Sequence, residues 1–272
     1  MMIDSTTEVW IRLGVFIGVL ALMMCWEALT PNRKSPVSKL ARWTSNFGLI
    51  FLGSLVVRLL IPAGLGAVAL WAQQHNIGLW NQFSVSLWWS IPITVVLFDC
   101  LIYWQHRLFH RVPLLWRLHR VHHADPHIDV STGLRFHPIE IGLSIAIKLV
   151  AVVLLGAPLM AILIFEVLLN ATAMFSHANI ALPKNIERLL RKVIVTQTMH
   201  RIHHSQIVSE TDSNFGFNLS IWDRLFASYT QTAKNGDMGI NIGLKEYPTQ
   251  KSNSNLVHLL LMPFKNKPTG YK

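Results

Sequence analysis

Long runs of apolar residues alternate with short, basic segments along most of the chain. A helix that spans a bilayer needs roughly 20 consecutive residues that are mainly apolar. The pattern therefore predicts an all-α integral membrane protein in which each run forms a spanning helix. The apolar runs cover residues 9–29, 44–71, 87–105, 139–155 and 159–175. Arg58 and Pro62 lie inside the second run and predict a kinked or re-entrant helix pair there.

The last two runs are separated by residues 156–158 (G-A-P), a sequence that marks a turn. We therefore expect residues 139–175 to enter the membrane and to return as a hairpin. Lys148 and Glu166 lie at equal distances in sequence from the centre of this turn. Because ionisable groups inside apolar spans usually pair, we expect an ion pair between them across the hairpin.

Composition supports a membrane protein of one domain. Hydrophobic residues make up 51% of the chain and charged residues 14%, whereas soluble domains typically carry about 25% charged residues. No linker rich in Pro, Gly or Ser and no repeat divides the sequence, which predicts a single domain over residues 1–272. Cys25 and Cys100 both lie in apolar runs, and the absence of a C-x-x-C spacing argues against a disulfide framework and a thiolate metal site.

The distribution of basic residues predicts the orientation of the chain. Lys and Arg are frequent in segments 31–42 and 106–135, whereas segment 73–86 and the hairpin tip contain none. By the positive-inside rule the two basic segments are cytoplasmic. The hairpin returns the chain to the same side, so segments 106–138 and 176–235 are predicted to form one cytoplasmic cap. The net charge of +10 then matches anionic lipid head groups, and no nucleic-acid-binding motif accompanies it.

Three clusters of histidines in the predicted cap carry the candidate chemistry. They read H-R-L-F-H, H-R-V-H-H and H-R-I-H-H, and residues three and four apart lie on one face of a helix. Imidazole binds zinc, iron, copper and nickel. Eight such ligands exceed the needs of one tetrahedral site, which predicts a centre with two metal ions. The clustered residues are His106, His110, His119, His122, His123, His200, His203 and His204.

Three further residues near the clusters are candidates for the site. His177 lies where the hairpin leaves the membrane and is a predicted metal ligand. His137 lies where the hairpin enters and is a predicted ligand, with a role beside the ligands or the substrate as the alternative. Asp99 lies seven residues before His106, two helical turns away, and either orients an imidazole or serves a structural, capping role. The histidines that we expect to be ordinary surface or core residues are His75, His127 and His258.

With these clusters the chain resembles the fatty acid hydroxylase and sterol desaturase superfamily. Four strings carry the resemblance: D-C-L-I-Y-W-Q-H-R-L-F-H (99–110), L-H-R-V-H-H (118–123), M-H-R-I-H-H (199–204) and N-F-G-F-N-L-S-I-W-D-R-L-F (214–226). The resemblance covers roughly residues 99–229, with the order and spacing of the histidine boxes preserved. It is specific for the superfamily and says little about the substrate.

The resemblance implies a membrane-bound, non-haem diiron oxygenase, with about four spanning helices below a cytoplasmic helical cap that holds the metal ions. The family's H-x-x-x-H box corresponds to His106 and His110. Its two H-x-x-H-H boxes correspond to the other six clustered histidines, whereas His137 and His177 match less constrained positions. Such enzymes hydroxylate or desaturate a C–H bond of a lipid with dioxygen and two external electrons.

The sequence also bears on the partners of such an enzyme. It contains neither a dinucleotide-binding glycine fingerprint nor a haem-attachment motif, so we expect the electrons to come from a separate reductase. A lipid or sterol-like substrate is expected to enter from the bilayer, because an apolar chain has no reason to cross water first.

Two other classes of function stay open at this point. A metal transporter places its ligands near the bilayer midplane, whereas these clusters lie at or beyond the ends of spans. A structural or regulatory membrane protein would keep the histidine scaffold without turnover. Within the enzyme hypothesis, the substrate can be a sterol, a fatty acyl chain, an alkylglycerol or a carotenoid-like hydrocarbon.

Overall fold

The computed structural model describes residues 5–83 and 85–265, and these residues form helices and loops with only two isolated β-bridges. The long helices are α1 (Ser5–Leu29), α2 (Lys39–Leu60), α5 (Leu87–Arg111), α7 (Pro138–Leu155) and α8 (Leu159–His177). The short helices are α3 (Gly64–Gln74), α4 (Leu79–Gln82), α6 (Pro113–His123), α9 (Lys184–Leu190), α10 (Gln197–His203), α11 (Val208–Thr211), α12 (Ile221–Leu225), α13 (Gln250–Asn253) and α14 (Leu256–Leu261). A 3₁₀ turn over Val130–Leu134 precedes α7.

Five helical segments are long and apolar enough to cross a membrane, one more than the family resemblance implies. They coincide with the five apolar runs of the sequence, so the described residues confirm the predicted all-helical fold and contain five candidate membrane spans. The second segment is a pair of helices, as Arg58 and Pro62 predicted. Here α2 ends at Leu60, and α3 (Gly64–Gln74) begins after a break in which Arg58 donates a hydrogen bond of 2.8 Å to the carbonyl oxygen of Pro62.

The predicted hairpin is present, and α7 and α8 meet at Gly156. This residue has a φ of +62°, and a Cβ atom there would lie 2.6 Å from the side-chain nitrogen of Asn81, so the turn requires glycine. Lys148 Nζ lies 3.3 Å from Glu166 Oε1, which confirms the predicted ion pair. The second carboxylate oxygen of Glu166 lies 2.6 Å from Arg12 Nη2, so this pair also joins α1 to the hairpin.

A buried ionic cluster fixes the cap to the start of α2. Arg42 Nε lies 2.6 Å from Asp125 Oδ1, and Arg42 Nη1 lies 2.7 Å from Asp129 Oδ2. The guanidinium also donates to the carbonyl oxygen of His127 and to Thr132 Oγ1. Burial alone would raise the pKa of Asp125, but the neighbouring guanidiniums outweigh burial and hold that pKa well below its usual range. The loop between α6 and α7 is thereby held against α2.

The segment after residue 235, for which the sequence predicted no role, closes the other side of the cap. Arg135 donates 2.6 Å to the carbonyl oxygen of Asn253, and Ser45 donates 2.7 Å to that of Ser254. Arg120 donates to the carbonyl oxygen of Met262. The segment also shares a buried apolar cluster with α2 and α6, formed by Leu49, Trp116, Val121, Ala124, Leu244, Tyr247, Leu259 and Met262.

Candidate metal centre

Nine buried histidines gather in two groups where the cap meets the ends of α5 and α8. In each group, one ring nitrogen of every member lies within 4.8 Å of the others. The larger group comprises His106, His110, His119, His123 and His203. The smaller group comprises His122, His177, His200 and His204. The structure therefore brings all eight clustered histidines and His177 together.

Helical geometry explains how one histidine box serves both groups. Side chains four residues apart lie on the same face of a helix, and their immediate neighbours point elsewhere. His119 and His123 of α6 therefore enter the larger group, whereas His122 enters the smaller one. The last box is divided in the opposite sense: His200 and its i+4 neighbour His204 enter the smaller group, and His203 of the same segment enters the larger one. Each H-x-x-H-H box thus links the two groups covalently.

Main-chain carbonyl groups set the tautomer of four of these rings. A carbonyl oxygen only accepts hydrogen bonds, so a neutral imidazole that contacts it through Nδ1 carries its proton there and leaves the Nε2 lone pair free. The four pairs are His106 with Phe215 (2.7 Å), His122 with Arg135 (3.2 Å), His177 with Ala173 (2.7 Å) and His203 with Ser213 (2.7 Å). The Nε2 lone pairs of these rings are thereby available to a metal ion.

His119 is oriented by a carboxylate that sequence reasoning missed. Its Nδ1 atom lies 2.6 Å from Oε1 of Glu140, and both side chains are buried. Oε2 of Glu140 is also buried and has no hydrogen-bond partner among the described residues. Glu140 belongs to the string H-P-I-E at the start of α7, where an acidic residue in the first helical turn was the available signal.

The facing ring nitrogens indicate that each group is built for a cation. In the larger group, Nε2 of His106 lies 3.1 Å from Nε2 of His119. In the smaller group, Nε2 of His122 lies 3.1 Å from Nε2 of His177. All four rings use their Nδ1 atoms as donors, so in each pair two lone pairs face each other without a proton between them. A metal ion bound by both nitrogens removes this repulsion, and the donor sets therefore fit one ion per group.

The protonation state of the cap histidines also favours metal binding. Burial lowers the pKa of His119 to about 3. Burial and the neighbouring imidazoles lower the pKa of the other five cap ligands well below the ordinary value for histidine; these are His122, His123, His200, His203 and His204. The rings are consequently neutral at physiological pH, which is the form that binds a metal ion.

Asp99 contacts the centre through the backbone rather than through an imidazole. Its carboxylate accepts hydrogen bonds from the backbone N–H groups of Asn218 and Leu219 and from Trp222 Nε1, at 3.2, 3.1 and 2.7 Å. Of the two roles predicted for Asp99, the geometry fits the structural one. Among the described residues its carboxylate contacts no imidazole, and the carbonyl oxygen of Phe215 lies beside Nδ1 of His106 instead. Asp99 instead anchors the loop that presents this carbonyl.

Asp223 anchors the same loop from the other side. Its carboxylate accepts from the N–H groups of Phe215 and Gly216 at 2.7 and 2.8 Å. Burial raises the pKa of Asp223 to about 6, although these hydrogen bonds oppose the shift. Gly216 leaves no room for a side chain, because a Cβ atom would lie 2.8 Å from the Asp223 carboxylate.

The structure does not bring His137 into either group. Its Nδ1 atom accepts from the backbone N–H of Ile139 and caps α7, and its Nε2 atom lies 3.2 Å from the carbonyl oxygen of Leu260. The reason is the following proline at the first helical position, which makes His137 the N-cap residue and turns its ring back toward the helix. His127 is buried beside the Arg42 cluster, and His75 is exposed, so neither joins a group.

Replacing Glu140 by glutamine is expected to weaken metal binding or turnover by roughly 10- to 100-fold, the usual effect of removing a carboxylate that orients a ligating histidine. Glutamine keeps the shape and one acceptor but removes the negative charge beside His119. Metal content at limiting metal supply measures the effect. Glu187→Gln is the matched control, since the Glu187 carboxylate bonds Arg191 and Thr196 instead. Equal metal content in both variants would contradict this role for Glu140.

Comparison with known proteins gives consistent results. A family model described as fatty acid hydroxylase matches residues 91–228. An ornithine lipid hydroxylase of Rhizobium tropici is 26% identical over 260 residues, covering 93% of this chain and 75% of the relative. An alkylglycerol monooxygenase of Danio rerio is 29% identical over 164 residues, covering 60% of this chain and 34% of the relative. A lathosterol oxidase of Mus musculus is 26% identical over 179 residues, covering 61% and 55%, respectively. No solved structure matches the chain.

Proposed function

The chain belongs to the fatty acid hydroxylase family, and on this premise we propose that it is a membrane-bound oxidoreductase that hydroxylates a C–H bond of a lipid. One oxygen atom of dioxygen enters the lipid as a hydroxyl group, and the other leaves as water. The balance requires two electrons and two protons for each turnover. The names of the relatives, a lipid hydroxylase, an alkylglycerol monooxygenase and a sterol oxidase, support a lipid substrate and oxygen chemistry.

The observation that carries the proposal is the pair of histidine groups, each with ring nitrogens that need a shared cation. We propose that the larger group holds one iron ion and the smaller group another. Imidazole also suits zinc, but zinc has no redox chemistry, and activation of dioxygen requires a metal that exchanges electrons. When bound, the two ions supply the reduction of dioxygen.

The residues of the chain itself orient the ligands, exclude water and face the membrane. The nine ligand rings are buried, so bulk water has little access to the reacting atoms. Phe217 lies beside His106, with ring centroids 5.2 Å apart, and packs on the apolar core around Phe98 and Phe165. This core lies within the spanning helices and gives the centre an apolar side. We propose that the alkyl chain of the substrate reaches the centre from that side.

The orientation of the chain in the membrane is part of the proposal. Segments 31–42 and 106–135 are rich in Lys and Arg, and the positive-inside rule supports a cytoplasmic location for both. Contacts such as that between Asn32 N and the carbonyl oxygen of Asn179, 2.9 Å apart, bring the α1–α2 loop to the end of the bundle that carries the cap. We propose that the cap faces the cytoplasm and receives electrons from a separate donor protein.

Cells that produce the chain are expected to contain lipids heavier by one oxygen atom than those of cells that lack it. Growth under isotopically labelled dioxygen should place the label in the new hydroxyl group, and mass spectrometry of lipid extracts measures both. Cells that produce His203→Ala are the control and should lack the product. A loss of two hydrogens would assign desaturation instead. Unchanged lipids in cells whose protein holds two iron ions would contradict the proposed function.

A further inference from the structure

An open cavity of about 570 Å³ lies in the cap, outside the two histidine groups. The α1–α2 loop, the loop that follows α6 and residues 240–248 form its walls. The proposed substrate side of the centre lies in the spanning helices, whereas these walls lie outside those helices. The cavity therefore opens to water at a place separate from the spanning helices.

The wall of the cavity is adjacent in the chain to a ligand of each group. Ala124 lines the cavity and directly follows His123 of the larger group. Gln206 also lines it and is the second residue after His204 of the smaller group. The rings of His123 and His204 stack with centroids 4.4 Å apart. The chain thus runs directly from the ring pair at which the two groups meet into the wall of the cavity.

The lining of the cavity is positively charged. Arg33, Lys34 and Lys245 line it, and none of the described lining residues is Asp or Glu. Hydrogen bonds of 2.9 Å to the carbonyl oxygens of Met238 and Ile240 hold the guanidinium of Arg33 in place. Its Nη1 atom is buried without a partner among the described residues. A surface of this kind attracts an acidic partner and accelerates its association.

We propose that this cavity is the docking site of an acidic electron-donor protein. The inference rests on the proposed function, which requires two electrons from outside the chain for each turnover. Two reduced one-electron donors that bind here in turn each deliver one electron on the side of the cap that carries Ala124 and Gln206, and two protons from water complete the balance. The lipid is oxidised, dioxygen is reduced, and the donor returns to its oxidised form. Substrate and reductant then reach the centre from different sides and do not compete.

The test uses the double charge reversal Lys34→Glu/Lys245→Glu in the full chain. Both lysines are exposed, and neither makes a hydrogen bond or ion pair with the described residues, so we expect the fold and the metal content to be unchanged. The matched control is Lys184→Glu/Lys192→Glu, which reverses two exposed lysines in and just after α9. The probe is an acidic [2Fe–2S] ferredoxin, reduced by an NADPH-linked reductase.

Three measurements separate the possible results. Binding of ferredoxin to the purified protein at low salt is expected to weaken by about tenfold or more in the double reversal but not in the control. Product formation driven by ferredoxin should fall in parallel. Product formation driven by hydrogen peroxide, which supplies both oxygen and reducing equivalents, should be unchanged.

Several outcomes would overturn the docking site. The first is that wild-type protein does not bind ferredoxin. The second is that wild type and the double reversal bind ferredoxin equally well. The third is that the double reversal loses the ferredoxin-driven and the peroxide-driven rates of product formation to the same extent. A different result bears on the proposed function alone: iron-loaded wild-type protein that forms no product either with reduced ferredoxin and dioxygen or with hydrogen peroxide. In that case, charge-dependent binding of ferredoxin would still support the docking site.

Discussion

Replacing His122 by alanine is expected to lower the bound metal from about two ions per chain to about one and to lower turnover roughly a thousandfold. His122 belongs to the four-membered group, so its removal leaves three imidazoles. The substitution also removes the contact between Nε2 of His122 and Nε2 of His177, in which two nitrogen lone pairs face each other. His203→Ala removes one of five ligands from the other group, so we expect a comparable loss of turnover with a smaller loss of metal.

Metal analysis of anaerobically purified protein and the rate of product formation measure these effects. His75→Ala removes an exposed imidazole outside both groups and should leave metal and turnover unchanged. Because both groups act in one reaction, the double variant His122→Ala/His203→Ala should be no slower than either single variant. Full turnover by His122→Ala would exclude a role for the smaller group.

Replacing Arg42 by methionine is expected to destabilise the protein by about 3–5 kcal/mol at neutral pH, the usual cost of removing one partner of a buried ion pair. The change leaves the carboxylates of Asp125 and Asp129 buried beside each other without their principal cation. With that cation lost, burial should raise the pKa of both groups above the unfolded value. The loss of unfolding free energy in the variant is then largest at a pH above the pKa of these carboxyl groups in the unfolded chain. The loss becomes smaller as the carboxylates take up protons.

Thermal unfolding in detergent, followed by tryptophan fluorescence at pH 7 and at pH values approaching 4, measures this difference. The difference in unfolding temperature between wild type and Arg42→Met should become smaller on acidification. The lowered pKa of Asp125 in the wild type means that this group stabilises the fold most at a pH above its pKa in the unfolded chain. Arg188→Met is the control: it removes an exposed arginine of α9 and should change stability by about 0.5 kcal/mol or less. Equal unfolding temperatures for the two variants would contradict the structural role of the buried cluster.

The membrane helices and the histidine groups are predictable because both are local patterns. A spanning helix needs a continuous apolar run, and the ligands of one box lie within one or two helical turns. The Lys148–Glu166 pair is predictable for a similar reason, since a hairpin pairs residues at equal distances from its turn. The division of each H-x-x-H-H box between two groups also follows from helical geometry. Predicting that division from the sequence, however, requires the position of the second histidine group relative to the helix.

The partners of the ligands are not predictable in this way because they come from distant parts of the chain. Glu140 is 21 residues from His119, and Phe215 is 109 residues from His106. No periodicity relates such positions, and only the packing of the cap brings them together. His137, which lies outside both groups, carried a local signal for its observed position. A histidine followed by proline at a helix start is a capping position.

The main-chain acceptors of four clustered histidines have a consequence for how this protein tolerates variation. An acceptor that belongs to the backbone persists whatever side chain the residue carries, so substitutions at Ala173 and Ser213 cannot delete it. Insertion or deletion of a single residue in the segment between His204 and Ser213 would instead shift the carbonyl groups of both Ser213 and Phe215 out of register. Libraries that vary side chains in this loop should therefore yield many metal-binding proteins, whereas libraries that vary its length should yield almost none.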